Sequence, residues 1–366
     1  MTGSEGSDGC GASGLTLGEL GEDVVLAAVL GALGEGGGTE GPGTSDGSDV
    51  VVAAGDDAAV LAAVGGSVVV TTDSMVRGRD WRDEWSSPQD VGRKVVVQNF
   101  ADVAAMGARP TGLVVALAAD PATPLTWAVG LAEGIGAAAR EAGAAVVGGD
   151  LSGAPEGTVV VAVTALGDLE GRRPVLRSGA RPGDVVAVAG TLGLSGGGLS
   201  LYLRDEESDG GGDAGEVGDV GDPGGPADAA AVLRRAHRTA GAPPFAAGQQ
   251  AADAGASAMI DVSDGLVRDL GRVAAASRVR VELDRAALEA EAAGPLTQVL
   301  GRDEALRQVL GGGEEHALVA TFPPGAVPEG WRVLGAVVDA GGAEEGPRVT
   351  LDGVAPDAPG WDHFAR

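Results

Sequence analysis

Apolar residues along this chain fall into two recurring patterns: short Val/Ala/Leu runs of strand length, and longer stretches with helical spacing. Residues 17–33 carry apolar positions at helical intervals and stop at a glycine-rich stretch, so a helix and then a loop reaching Ser48 are expected. Residues 50–53 and 67–72 read as strands, the first leading into Gly55-Asp56-Asp57 and the second ending on Asp73. Ser87-Pro88 reads as a helix start, with the helix running to Met106 and Gly107 just past its end. A strand at 112–118, a helix at about 125–142 closed by Gly143, a short buried strand at 144–147 and a strand at 159–165 complete an α/β first half. The strand at 144–147 delivers Gly148-Gly149-Asp150. The segment RSGARPGD from Arg177 marks the junction. A strand at 185–189 opens the second half, followed by the glycine-rich 190–198 and a helix. IDVSDG, from Ile260, precedes a helix to about Ser277, and 280–283, 317–322 and 333–338 are further strand candidates.

Composition adds limits. With 366 residues there is room for two domains, and 44% apolar residues support folded cores. Aromatics reach only 3%, so those cores are expected to be built from Val, Leu and Ala. Residues 1–16 read as a disordered tail. The run 205–222 has eight acids and no bases, and marks a disordered acidic insertion at 205–227. Domains are therefore placed at 17–169 and 170–366.

A net charge of −28 with no basic patch argues against a nucleic-acid partner, whose phosphates need Lys and Arg. It would also repel a free anionic substrate, so cations are expected either with the substrate or among the acids. The single cysteine, Cys10, excludes a disulfide framework. No window holds eighteen uninterrupted apolar residues, and no basic region precedes an apolar run at the N-terminus. The expectation is a cytoplasmic protein without a membrane partner.

Six aspartates occupy comparable settings, at the end of an apolar run, in a glycine turn or on a helix: Asp57, Asp73, Asp102, Asp150, Asp261 and Asp264. Strand ends are where open α/β sheets build ligand sites, and neighbouring glycines let backbone amides approach phosphate. Each also has an ordinary reading, as a turn former, a helix cap or an exposed helix acid. Clustered acids cannot all ionise without cations, and oxygen-only ligands suit Mg²⁺. His237, His316 and His363 are far apart with no Cys partner, which disfavours zinc. There is no Walker A motif, no G-x-G-x-x-G fingerprint and no G-x-S-x-G elbow. Any bound nucleotide must then be held through metal bridges.

The motifs GDDAAVL, TTDSMV, NFADVAAMGARP, GGD, RSGARPGD, IDVSDGLVRDLG, GGEE and GWDHF follow one another at fitting intervals. In this order the chain resembles the thiamine-monophosphate kinase family, of the superfamily that includes aminoimidazole-ribonucleotide synthetase and selenophosphate synthetase. The resemblance spans roughly residues 17–364. It implies a two-domain α/β (α+β) fold, with an N-terminal domain that pairs in a homodimer and a C-terminal domain closing over the nucleotide. It implies transfer of the γ-phosphoryl of ATP to thiamine monophosphate, giving thiamine diphosphate, with several Mg²⁺ ions and no covalent protein catalyst. Carried over by motif, Asp57, Thr71, Thr72, Asp73, Asp102, Asp150, Asp261 and Asp264 would ligate metal. Gly149, Asp150, Arg177 and Ser263 would hold ATP. Asp80, Glu314 and Trp361 would face the substrate, Trp361 offering a ring face to a cationic thiazolium. The family's Gly-x-His-Phe appears here as Gly78-Arg79-Asp80-Trp81, and its Gly-Gly-Glu-Asp-Tyr as Gly312-Gly313-Glu314-Glu315-His316. Two other readings stay open at this point: another ATP-dependent synthetase of the superfamily, and a non-catalytic nucleotide- or metal-binding scaffold.

Overall fold

The computed structural model describes residues 15–33, 50–52, 59–209, 225–241, 245–340, 348–358 and 360–361. Asp57, the N-terminal tail to residue 14 and the stretch 210–224 lie outside the described residues.

The expected first helix is two, α1 (Leu17–Leu20) and α2 (Glu22–Leu33). They part at Gly21, whose φ of 77° suits glycine and interrupts the helical path. Strands β1 (Val50–Val52) and β2 (Val60–Leu61) form a small antiparallel pair. Four longer strands make the first sheet: β3 (Val69–Val76), β4 (Arg109–Ala119), β5 (Ala145–Gly153) and β6 (Val159–Asp168), in the order β3-β6-β4-β5. Only β4 and β5 run parallel.

Helices α3 (Pro88–Ala105) and α4 (Leu125–Glu141) pack on one face of this sheet, where Val95, Phe100, Leu131 and Ile135 meet Val159, Val161, Val163 and Ala165. α3 starts as the sequence predicts. Ser87 Oγ accepts the Asp90 N–H at 3.2 Å, Asp90 Oδ2 accepts the Ser87 N–H at 3.1 Å, and Pro88 leads the helix. The two helices approach until a Cβ on Gly92 would lie 2.2 Å from the Leu131 carbonyl oxygen, so only glycine fits there.

The second sheet has the order β12-β9-β11-β7-β10-β8, from β7 (Val185–Ala189), β8 (Ala258–Val262), β9 (Arg280–Leu283), β10 (Ala317–Phe322), β11 (Arg332–Val338) and β12 (Val349–Leu351). Helices α5 (Leu194–Asp209), α6 (Pro226–Thr239), α8 (Leu266–Ser277), α10 (Pro295–Leu300) and α11 (Arg302–Gly311) supply one core against it, and the short α9 (Arg285–Glu291) adds the buried Leu288. The other face carries a second core, in which α7 (Ala246–Asp253) and the end of α3, Ala104 and Ala105, meet Ala187, Met259, Leu318 and Phe322. One helix, α3, therefore packs on both sheets.

Three expectations need correcting. Asp73 and the Gly148-Gly149-Asp150 segment lie inside strands rather than at their ends, because β3 and β5 extend past the apolar runs. Residues 205–209 of the expected disordered insertion are the last turn of α5. They are tied there by Asp205–Arg234 at 2.7 Å and Glu206–Arg82 at 2.5 Å. Residues 226–227 likewise begin α6.

Candidate active site

The alternation of β3 decides which of its polar residues can meet the rest of the acids. Thr71 and Asp73 face α3, while Thr72 and Ser74 face the opposite, more exposed side. The Thr71 hydroxyl donates to Asp102 Oδ2 at 2.7 Å. The Asp73 N–H donates to Asn99 Oδ1 at 3.1 Å, and the fully buried Asn99 donates its amide back to the Val95 carbonyl at 2.7 Å. Thr72 turns away and donates to the Val163 carbonyl at 2.9 Å.

From the second sheet, β8 brings Asp261, which is only 5% exposed, to the same place. Burial pushes the Asp102 carboxyl up to about 6, helped by the negative charge of Asp261 and, less, of Asp73, against the Thr71 hydrogen bond. His316 Nδ1 stands 3.4 Å from Asp261 Oδ2. Asp73, Asp102 and Asp261 thus form one acidic neighbourhood built from both halves. Among the described residues, no three His, Cys, Asp or Glu side chains are grouped tightly enough to ligate a single ion. The three carboxylates are electrostatic neighbours rather than a finished coordination sphere.

The turn after β8 is held from beneath by Asp269, which is fully buried. Its Oδ2 accepts the N–H groups of Ser263 at 3.1 Å and Asp264 at 3.0 Å, and its Oδ1 binds Arg272. Burial and then Asp261 push its carboxyl up to about 6. The carbonyls of the same turn face the other way. Ser263 O accepts the Glu314 N–H at 2.7 Å, and Asp264 O accepts the Trp361 N–H at 2.8 Å. Ser263, Asp264, Glu314 and Trp361 are thereby assembled on one turn. Asp264 is not an open ligand in this arrangement, since Arg272 Nη2 reaches its Oδ2 at 2.5 Å and Arg268 Nε at 3.7 Å.

Glu314 takes φ of 60° and His316 φ of 51°, left-handed conformations that are uncommon for such residues. Lys94 Nζ meets Glu314 Oε1 at 2.6 Å, and His237 Nδ1 lies 3.4 Å from Oε2. Burial alone would raise the Glu314 carboxyl, but the Lys94 ammonium and His237 hold it below the usual range. Burial, joined by Lys94, drops His237 to about 4, leaving it neutral at pH 7. Glu315 points away from this group and caps α5. Its Oε1 accepts the Ser195 N–H at 2.5 Å and its Oε2 the Thr191 hydroxyl at 3.1 Å, while burial pushes its carboxyl up to about 8.

Other expected site residues stand elsewhere. Asp150 pairs in register with Ala116, and Ala116 with Ala162, which faces Ser74; Asp150 therefore shares the outer face with Thr72, opposite Asp73. Its carboxylate accepts the Ser152 hydroxyl at 2.8 Å. Gly149 is required by strand contact, since a Cβ there would sit 2.3 Å from the Val115 carbonyl oxygen. Arg177 is exposed and anchored through its carbonyl to Ser277 Oγ at 2.9 Å. That is the far end of α8 from Asp264, about 18 Å away at 1.5 Å per residue. Asp80 is the exception: its carboxylate closes its own turn by accepting the Val76 N–H at 2.7 Å, but its carbonyl oxygen lies 3.4 Å from Lys94 Nζ, the partner of Glu314. Asp57 lies outside the described residues.

Lys94, Asp269 and His237 are contributors that the sequence reading did not single out. A signal was present for two of them: a lysine leading directly into the apolar run Val95-Val96-Val97, and an acid following the SDG turn within one helical turn.

Residues 55–169 match the family described as AIR synthase related protein, N-terminal domain. The chain is 45% identical over 298 residues to the thiamine-monophosphate kinase of Mycobacterium tuberculosis, covering 80% of each chain. The fold is similar to the crystal structure of thiamine-monophosphate kinase from Stenotrophomonas maltophilia K279a, with TM-score 0.70, 28% identity and coverage of 91% and 96% of the two chains. It is also similar to AaThiL complexed with AMPPCP and TMP, with TM-score 0.67, 25% identity and coverage of 96% and 99%. This chain belongs to the thiamine-monophosphate kinase family.

Proposed function

We propose that this chain transfers the γ-phosphoryl group of ATP to the phosphate of thiamine monophosphate, giving thiamine diphosphate and ADP. The observation that carries the reading is the acidic neighbourhood contributed by both halves, Asp73 and Asp102 from one and Asp261 from the other. Membership of the family, and a similar protein complexed with AMPPCP and TMP, support the choice of nucleotide and acceptor.

Carboxylates that repel one another call for a cation, and an all-oxygen donor set fits Mg²⁺. Asp73, Asp102 and Asp261 would hold it together with phosphate oxygens and water. When bound, the ion offsets the charge of two polyanions that would otherwise repel. The residues themselves position the acceptor and keep it in line: Glu314 and Trp361 on the Ser263–Asp264 turn, and Asn99 through the backbone of Asp73. An acceptor phosphate oxygen forms the new P–O bond as the γ-phosphorus–oxygen bond to ADP breaks. The acceptor has a second pKa near 6 and is already ionised at pH 7, so no protein base is required.

A homodimer is part of the proposal. The outer face of the first sheet leaves Val70 61% and Val114 36% exposed, flanking Thr72 and Asp150. A partner's sheet laid on that face would cover them. Among the described residues no helix is long and apolar enough to cross a membrane. Dependence on ATP is consistent with work in the cytoplasm.

Incubation with ATP, Mg²⁺ and thiamine monophosphate should yield thiamine diphosphate and ADP in equal amounts, whereas free thiamine should give no product. Equal turnover of thiamine, or none of the monophosphate, would reject the reading.

A further inference from the structure

We propose that Lys94 is a positioning residue for the thiamine-bearing substrate, holding Glu314 and the turn at Asp80 in one fixed relation; this rests on the reading of Glu314 as a substrate contact.

Lys94 is 2% exposed in the middle of α3, beside Val95, Val96 and Val97. A buried ammonium is unfavourable unless it is closely paired. Its partners here come from opposite halves of the molecule: Glu314 Oε1 at 2.6 Å, from the loop before β10, and the Asp80 carbonyl oxygen at 3.4 Å, from the turn after β3. These are the two substrate-side positions that the resemblance places far apart in the chain, and one charge joins them.

Glu314 could not keep this place by itself. Its φ of 60° is sparsely populated for a non-glycine residue, and such conformations persist only where the surroundings fix them. Three contacts do so: its N–H to Ser263 O at 2.7 Å, Oε1 to Lys94, and Oε2 facing His237 Nδ1 at 3.4 Å. The side chain nevertheless remains 36% exposed, whereas that of Lys94 is 3% exposed. The cation is enclosed and the carboxylate keeps an open edge. A carboxylate held that way suits a ligand group that donates hydrogen bonds or carries positive charge, such as a ring amine or a cationic heteroaromatic ring.

Other contacts also join the halves near this point, including the stacked Trp85–Tyr202 pair with ring centroids 4.9 Å apart. A purely structural tie would therefore lower stability without singling out one substrate. The experiment separates these roles. Thiamine monophosphate binding is measured by calorimetry, and KM for each substrate together with melting temperature is measured for the parent, Lys94→Met, Lys94→Arg and Glu314→Gln. Lys94→Met is expected to raise KM and Kd for thiamine monophosphate at least tenfold and leave KM for ATP within twofold. Lys94→Arg should recover part of the loss, and adding Lys94→Met to Glu314→Gln should cost little more. An unchanged thiamine monophosphate Kd, or equal rises in both KM values, would overturn the proposal. If Lys94→Met does not fold, Lys94→Arg and Glu314→Asp keep both charges and alter only their reach, and a smaller loss, still confined to thiamine monophosphate, is required of them. A parent that binds thiamine monophosphate without turning it over rejects the activity and leaves the Lys94 test intact. A parent that does not bind it rejects both.

Discussion

Thr71 Oγ1 and Asp102 Oδ2 are joined by a 2.7 Å hydrogen bond that links the first sheet to α3 at the edge of the acidic neighbourhood. The bond favours an ionised Asp102, yet burial and the charge of Asp261 outweigh it and raise the carboxyl to about 6. A raised carboxylate pKa means that the folded protein binds the proton more tightly than the unfolded chain. Stability from this group is therefore complete below about pH 4 and falls as pH rises through 6. Asp102→Asn should remove that loss. In chelator-treated protein it is expected to raise stability by about 1–3 kcal/mol at pH 8 and by little at pH 4. Thermal melts at the two pH values check this. The same variant should lose at least a hundredfold in turnover.

Ligand linkage gives a second expectation. Mg²⁺ with AMPPCP binds only the folded site, so at about 100 times Kd it should add about 2.7 kcal/mol of stability. Asp73→Asn should lose most of that gain. Glu289→Gln, an exposed acid on α9, should keep it. Equal gains in both variants would remove Asp73 from the metal site.

Glu315 provides a pH effect away from the acids. With its carboxyl raised to about 8, it makes stability fall as pH increases from about 4.5 to 8, with a limiting slope of about 1.4 kcal/mol per pH unit. Glu315→Gln keeps an acceptor for the Ser195 N–H and can donate to Thr191. Urea melts between pH 5 and 9 should show a flatter profile for the variant and higher stability than the parent at pH 9.

Asp269 has no site role implied by the resemblance, but it carries the Ser263–Asp264 turn. Asp269→Ala would leave two N–H groups and the Arg272 guanidinium without their acceptor, at a cost of about 3 kcal/mol or more. Turnover should fall with stability, because Glu314 and Trp361 hang from the carbonyls of that turn. Asp269→Glu, with its longer reach, should not restore activity even where it restores folding.

Much of this arrangement was legible in the chain. The strands β7, β9 and β10 match their apolar runs at both ends, and Ser87-Pro88 with Gly107 bracket α3 to within two residues. What the sequence does not carry is the side on which a residue falls. Thr71, Thr72 and Asp73 read as one polar cluster, but strand alternation sends Thr72 to the opposite face, and pairing sends Asp150 there too. Arg177 reads as a nucleotide contact, and only packing shows that its carbonyl is fixed to Ser277, at the other end of α8 from Asp264. Lys94 looks like a misplaced cation until Glu314, distant in sequence, arrives beside it. Such facts belong to pairing register and packing, and neither is a local property.

Helix α3 packs its middle against β6 and its end against Met259 and Phe322, so its surface belongs to two cores at once. A nick in the stretch 170–174, exposed apart from the half-buried Arg172, would therefore not release two particles. The pieces would stay clasped along the flank of one helix. An isolated fragment ending at residue 169 would carry Lys94 and Ala104 into water as an uncovered scar.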